Sequence, residues 1–190
     1  MAKEIYQNNA PHTLNNDLFH EIGISSARCY QCGKCSAGCP MAEDMNYTPN
    51  TVMRIIQAED RQMDLELLSS ESIWLCASCE MCISRCPMQI DIPKIMDYLR
   101  QKSLQERLQD KAANKSIIPF HQSFLDMIRY TGRSYEVGLV LDFKLRSKKI
   151  MQDVDLVPKM LSHGKLPFLP DGIKGKKNIQ AIFKRTLRKK

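Results

Sequence analysis

Apolar residues recur at three- and four-residue intervals along most of this chain, and no in-and-out alternation runs long enough to specify a strand. Thr48 and Pro49 suit an N-cap and a first helical position. Val52, Ile55 and Ile56 follow on helical spacing, with Glu59 near the end. Met63, Leu65, Leu67 and Leu68 carry that face into a second short helix, which Ser69 and Ser70 break before Ile73-Trp74-Leu75-Cys76. The layout then returns: Asp91 as cap, Pro93 near the start, and Ile92, Ile95, Met96 and Leu99 on one face, prolonged by Leu104 and Leu108. Further on, Phe120, Phe124, Leu125, Met127 and Ile128 form a helical face closed by Gly132. Residues 134–145 and 151–161 are weaker helices. Leu166-Pro167-Phe168-Leu169-Pro170 reads as extended, because a residue before proline is steered away from the helix. A basic helix from Ile173 to Leu187 carries Ile179, Ile182 and Phe183. The pattern predicts an all-α chain: an N-terminal arm over 1–19, a helical domain over 20–112, and a helical extension with a basic tail over 113–190.

Two groups of cysteines interrupt the helices, Cys29-Cys32-Cys35-Cys39 and Cys76-Cys79-Cys82-Cys86. Both read C-x2-C-x2-C-x3-C-P, ending at Pro40 and Pro87, and each cysteine of the second group lies 47 residues after its counterpart. All eight cysteines are used. A cubane [4Fe–4S] cluster needs one thiolate per iron. Three cysteines two residues apart can curl round one side of it, while the fourth points away past the proline. In two-cluster ferredoxins of this spacing that fourth cysteine ligates the other cluster. Cys29, Cys32, Cys35 and Cys86 are therefore expected to hold one [4Fe–4S] cluster, and Cys76, Cys79, Cys82 and Cys39 the second. Paired CxxC motifs also build redox-silent zinc sites, but these need no third and fourth cysteine followed by proline. With every iron capped by a thiolate, none is open to substrate, which argues for electron transfer. Ile73, Trp74, Leu75, Met41, Met81, Ile83 and Met88 flank the cysteines. They read first as core and second as a dry lining that helps set potentials.

Composition agrees. The chain has 190 residues, 43% hydrophobic, and no apolar run near the roughly 18 residues of a membrane helix. Residues 1–16 are polar, without the apolar segment of an export signal. A cytoplasmic location is expected, where a high cysteine count points to metal or redox chemistry rather than disulfides. Between 174 and 190 lie eight Lys or Arg and no acid, which more than account for the net +7. That tail reads as a solvated end, as a dock for an acidic protein partner, or as a nucleic-acid or membrane-surface contact. Its single aromatic, Phe183, offers no stacking platform, so nucleic acid is not expected. His12, His20, His121 and His163 have no ligand spacing with one another. There is no G-x-G-x-x-G and no visible catalytic constellation, so no catalytic residue is assigned. The chain is expected to serve as one component of a larger oxidoreductase.

The stretch Cys29-Tyr30-Gln31-Cys32-Gly33-Lys34-Cys35-Ser36-Ala37-Gly38-Cys39-Pro40 resembles the first cluster motif of the iron–sulfur C subunits of heterodisulfide reductases. Tyr47-Thr48-Pro49, then Ser72-Ile73-Trp74-Leu75-Cys76-Ala77-Ser78-Cys79, and Cys82 to Pro87 follow in the same order, with Leu166-Pro167 and Ile173-Lys174-Gly175 similar to the end of that family. The resemblance implies a helical ferredoxin fold with two [4Fe–4S] clusters ligated by the eight cysteines. It also implies an electron-relay component of a heterodisulfide reductase complex, placed between a flavin-bearing A-type subunit and a disulfide-reducing, cysteine-rich B-type subunit. The competing reading is the iron–sulfur component of another respiratory oxidoreductase, of the succinate/fumarate or glycolate/glycerol-3-phosphate type. The first of these adds a plant-type [2Fe–2S] site, and no ninth cysteine is present to begin one.

Overall fold

The computed structural model describes residues 13–108, 116–148 and 172–187, with isolated positions 154, 158 and 160. Every regular element among the described residues is helical. The chain divides into two compact units, Met1–Ala113 and Asn114–Lys190.

The first unit holds α1 (Leu14–Ile22), a 3-10 turn (Ser26–Arg28), α2 (Lys34–Ala37), α3 (Pro49–Ala58), α4 (Arg61–Ser69), α5 (Ser72–Leu75), α6 (Met81–Arg85) and α7 (Ile92–Gln105). Leu14, Leu18, Val52, Met53, Ile56, Leu67, Leu68, Ile73, Ile95, Met96 and Leu99 are fully buried and form one core among α1, α3, α4, α5 and α7. Burial of each such side chain contributes about 2 kcal/mol. The expected boundary after residue 19 falls inside α1, whose Leu14 and Leu18 belong to this core. Two cations from α7 fasten α1 in place: Lys102 pairs with Asp17 at 2.6 Å, and Lys94 donates to the Ile22 carbonyl at 3.1 Å.

Helix starts are capped in two ways. Asp60 and Asp91 cap their own helices, Asp60 accepting from the N–H groups of Gln62 and Met63, Asp91 from that of Lys94. At α1 the N-cap Thr13 makes no capping bond, and Asp64 of α4 accepts from the Leu14 N–H at 2.9 Å instead. At α3 Thr48 holds the N-cap position as expected, yet Ser36 Oγ accepts the Asn50 N–H, at 2.9 Å. Asp64 therefore takes a buried place on α4, and the neighbouring Met63 is exposed, contrary to the apolar face expected there. On α7 Ser103 is buried where Leu104 was expected, and Leu104 faces solvent. Leu108 returns to the core beyond the helix, its N–H donating to the Ser103 carbonyl at 2.9 Å.

The second unit contains α8 (Ile117–Thr131), α9 (Glu136–Ser147) and a last helix, α10 (Lys176–Leu187). Gly132 closes α8 in a left-handed conformation, φ 90°, donating to the Ile128 carbonyl at 2.8 Å. The face expected on α8 is only partly covered: Phe120, Phe124 and Leu125 are exposed, and Ser123 is the buried residue. Phe120 meets Phe143 of α9 edge-on at 5.8 Å, and Arg146 of α9 reaches both Asp126 and Asp142, at 2.6 and 2.7 Å. The expected helix over 151–161 falls almost wholly, and the extended Leu166–Pro170 segment entirely, outside the described residues. No helix among the described residues is long and apolar enough to cross a membrane.

Candidate metal centre

The two cysteine motifs fold into the same backbone turn. Gln31 and Gly33 in the first, and Ser78 and Glu80 in the second, have positive φ (61°, 75°, 50° and 61°) at positions 47 residues apart. A left-handed residue on either side of the second cysteine curls the chain and brings successive thiols to one side. Three of these four residues are not glycine, and each carries a strain of about 1–2 kcal/mol. The turn opens into α2 or α6, where the N–H groups of Ser36 and Ile83 return to the carbonyls of Gly33 and Glu80. Cys39 and Cys86 are then fixed alike, their N–H groups donating to the carbonyls of Ser36 and Ile83 at 3.1 and 3.0 Å.

Each turn is held by a side chain from the long helix that follows it. Gln57 of α3 donates to the carbonyls of Ser26 and Cys29 at 2.8 and 2.7 Å. Arg100 of α7 donates to the carbonyl of Ile73 at 2.7 Å and to that of Cys76, and pairs with Asp97 at 3.0 Å. Cys29 and Cys76 are the first cysteines of the two motifs, so the device is repeated with different chemistry. No local pattern in the sequence marks Gln57 or Arg100, because each acts on a loop more than twenty residues away.

Two cavities open beside these turns. One has about 360 Å³ of empty space, its opening to solvent included, and is lined by Cys29, Cys32, Cys35 and Cys86, with Met53, Met88 and Ile90 among its apolar walls. The other has about 380 Å³ of empty space, again counting its opening to solvent, and is lined by Cys39, Cys76, Cys79 and Cys82, with Met41, Met45, Met81 and Met96. Three thiols of one motif and the last thiol of the other thus share each space, in equal number and in spaces of nearly equal size. Met41, Met81 and Met88, expected as flanking residues, are lining residues, whereas Ile73 and Trp74 are buried in the core. Met45, Met53, Ile92 and Met96 also line the cavities and were not foreseen. They come from helix faces and a loop position that read simply as core or connection.

The donor set suits an iron–sulfur cluster. Each cavity offers four soft thiols in an apolar shell. Among the described residues no three His, Cys, Asp or Glu side chains converge as ligands of a single ion. The second cysteine of each motif, Cys32 or Cys79, is exposed, while Cys35 is buried. Burial raises the Cys35 thiol, and burial with Cys76 alongside pushes the Cys82 thiol up to about 11. Thiolates at these two positions therefore need a compensating positive charge, which bound iron supplies. Helices α3 and α7 begin at the cavities, with Pro49 and Asn50, and Ile92 and Pro93, among the lining residues. Their positive dipole ends favour an anionic occupant.

Residues 25–90 match the 4Fe-4S dicluster domain family. The C subunit of the ferredoxin:CoB-CoM heterodisulfide reductase of Methanosarcina acetivorans is 38% identical over 79 residues, 42% of this chain and 30% of that protein. The second iron-sulfur C subunit of the CoB–CoM heterodisulfide reductase of Methanocaldococcus jannaschii is 33% identical over 90 residues, 47% of this chain and 46% of that protein. Another M. acetivorans protein, the C subunit of the ferredoxin/F(420)H(2)-dependent CoB-CoM heterodisulfide reductase, is 26% identical over 162 residues, 85% of this chain and 88% of its own length. The chain is thus similar in sequence to heterodisulfide reductase C subunits. Its likeness to the first two of these proteins spans less than half of their length. With the third it extends over most of both chains. The helical, dicluster-ferredoxin architecture expected from the sequence is thereby established.

Proposed function

We propose that this chain is the electron-relay iron–sulfur component of a heterodisulfide reductase-type complex. It carries single electrons between a flavin-bearing A-type subunit and a cysteine-rich, disulfide-reducing B-type subunit. The observation that carries this reading is the pair of thiol-lined cavities, each completed by the other motif's last cysteine, in a chain similar in sequence to heterodisulfide reductase C subunits. Cys29, Cys32, Cys35 and Cys86 would hold one [4Fe–4S] cluster, and Cys39, Cys76, Cys79 and Cys82 the other. Bound there, such clusters supply reversible one-electron transfer. The methionine and isoleucine walls exclude water, and the Ile90 N–H donates to the Cys86 sulfur at 3.4 Å, a contact that tunes potential. Among the described residues the linings contain no histidine and no carboxylate. Exposed Cys32 beside exposed Tyr30, and exposed Cys79 beside exposed Met81, give each cavity its own edge for a partner.

Anaerobic affinity purification from native extract tests the assignment. A flavoprotein and a cysteine-rich partner should be recovered with this chain. Recovery of a membrane anchor together with a [2Fe–2S] protein would transfer the assignment to the respiratory alternative.

A further inference from the structure

Ile92 lines both cavities, and among the described residues it is the lining residue they share. The chain crosses from one cavity to the other at this point: Pro87, Met88 and Ile90 line the first, Pro93 and Met96 the second. Ile92 is 3% exposed, so it is a wall between two spaces and not a lip open to solvent. Its position is fixed on both sides. The Ile92 N–H donates to the Ile90 carbonyl at 3.0 Å, the Ile95 N–H to the Asp91 carbonyl at 3.2 Å, and the Asp91 carboxylate caps the Lys94 N–H at 3.0 Å. Its β-branched side chain at the start of α7 has little rotamer freedom.

We infer that Ile92 is a dry partition that couples the two cluster sites electrostatically. The inference rests on the two-cluster reading above. Charges separated by apolar side chain interact far more strongly than charges with water between them. By keeping water from the wall, Ile92 lets an electron held in one cavity oppose the arrival of a second electron in the other. The same dryness disfavours the more highly charged reduced form in either cavity and so keeps both potentials low.

The test uses anaerobically purified full-length Ile92→Ala and Ile92→Val, with Ile95→Ala as control. Ile95 is fully buried one turn further along α7 and lines neither cavity. Iron per chain is measured first, and reductive titration followed by EPR then gives the two midpoint potentials. In iron-loaded Ile92→Ala both potentials should move upward and the gap between them should narrow. Ile92→Val should shift them less, in the same direction, and Ile95→Ala should leave the gap unchanged. Unchanged potentials in loaded Ile92→Ala would overturn the inference, and so would an equal shift in Ile95→Ala, which would point to general loosening of the core. Should Ile92→Ala fail to take up iron, Ile92→Val decides: a shift in the stated direction supports the partition and no shift removes it. Failure of the two-cluster reading is distinguishable, since the unsubstituted chain would then lack the iron and the second potential.

Discussion

The residues that matter most at the cavities divide into those with a sequence signature and those without. The eight cysteines announce themselves through a 47-residue repeat, and the cavities group them in the two sets that crossed ligation requires. That grouping makes a sharp prediction about pairs. If Cys39 serves the cluster of the second motif, the double variant Cys39→Ser/Cys76→Ser should lose one cluster and keep about four irons. Should Cys39 serve its own motif instead, the same double variant would lose both. Gln57 and Arg100 lack any such signature, since their purpose is to reach the carbonyls of Cys29 and Cys76 across the fold. Replacing Arg100 by alanine leaves two carbonyls without their donor and should lower stability by about 2 kcal/mol in denaturant unfolding. Arg100→Lys, with one compact ammonium in place of a fork, should recover only part of the loss.

Helices were legible where their own sequence contains the stop and start signals. Asp91 and Pro93 announce α7, and Gly132 announces the end of α8, because these residues act on backbone groups within one turn. Helix α1 was missed for the opposite reason. Its first N–H is capped by Asp64, fifty positions away, and the side chain of its own N-cap residue, Thr13, makes no capping bond. The same aspartate explains the failed expectation on α4, where a buried carboxylate interrupts the apolar face. Asp64→Ala should therefore cost about 1 kcal/mol, read as a lowered denaturation midpoint, while Asp64→Asn keeps an acceptor and should cost less. Burial also raises the Asp64 carboxyl above its usual range, though the Leu14 N–H and Arg61 pull it down. The folded chain thus keeps a proton that the unfolded chain releases, and stability from this group falls as pH rises through the interval between the two values. Asp64→Asn should flatten that fall when unfolding is followed across the mildly acid range.

At the scale of the whole molecule, the first unit is an internal repeat wrapped around two cavities: cysteine turn, short helix, long helix, then the same again. The repeat was readable in the cysteines and in the paired long helices. Ile92 as a shared wall was not, because a core isoleucine on a helix face has the same spacing whether it meets another side chain or a cluster. The function proposed for the chain stands on what fills those spaces. Iron and inorganic sulfide analysis of an oxygen-free preparation, combined with EPR of the dithionite-reduced protein, addresses this most directly. About eight irons per chain, as two cubanes require, should be found with little zinc, and reduction should yield a paramagnetic cluster signal. A colourless protein, silent after reduction and free of iron, would contradict the account at its base.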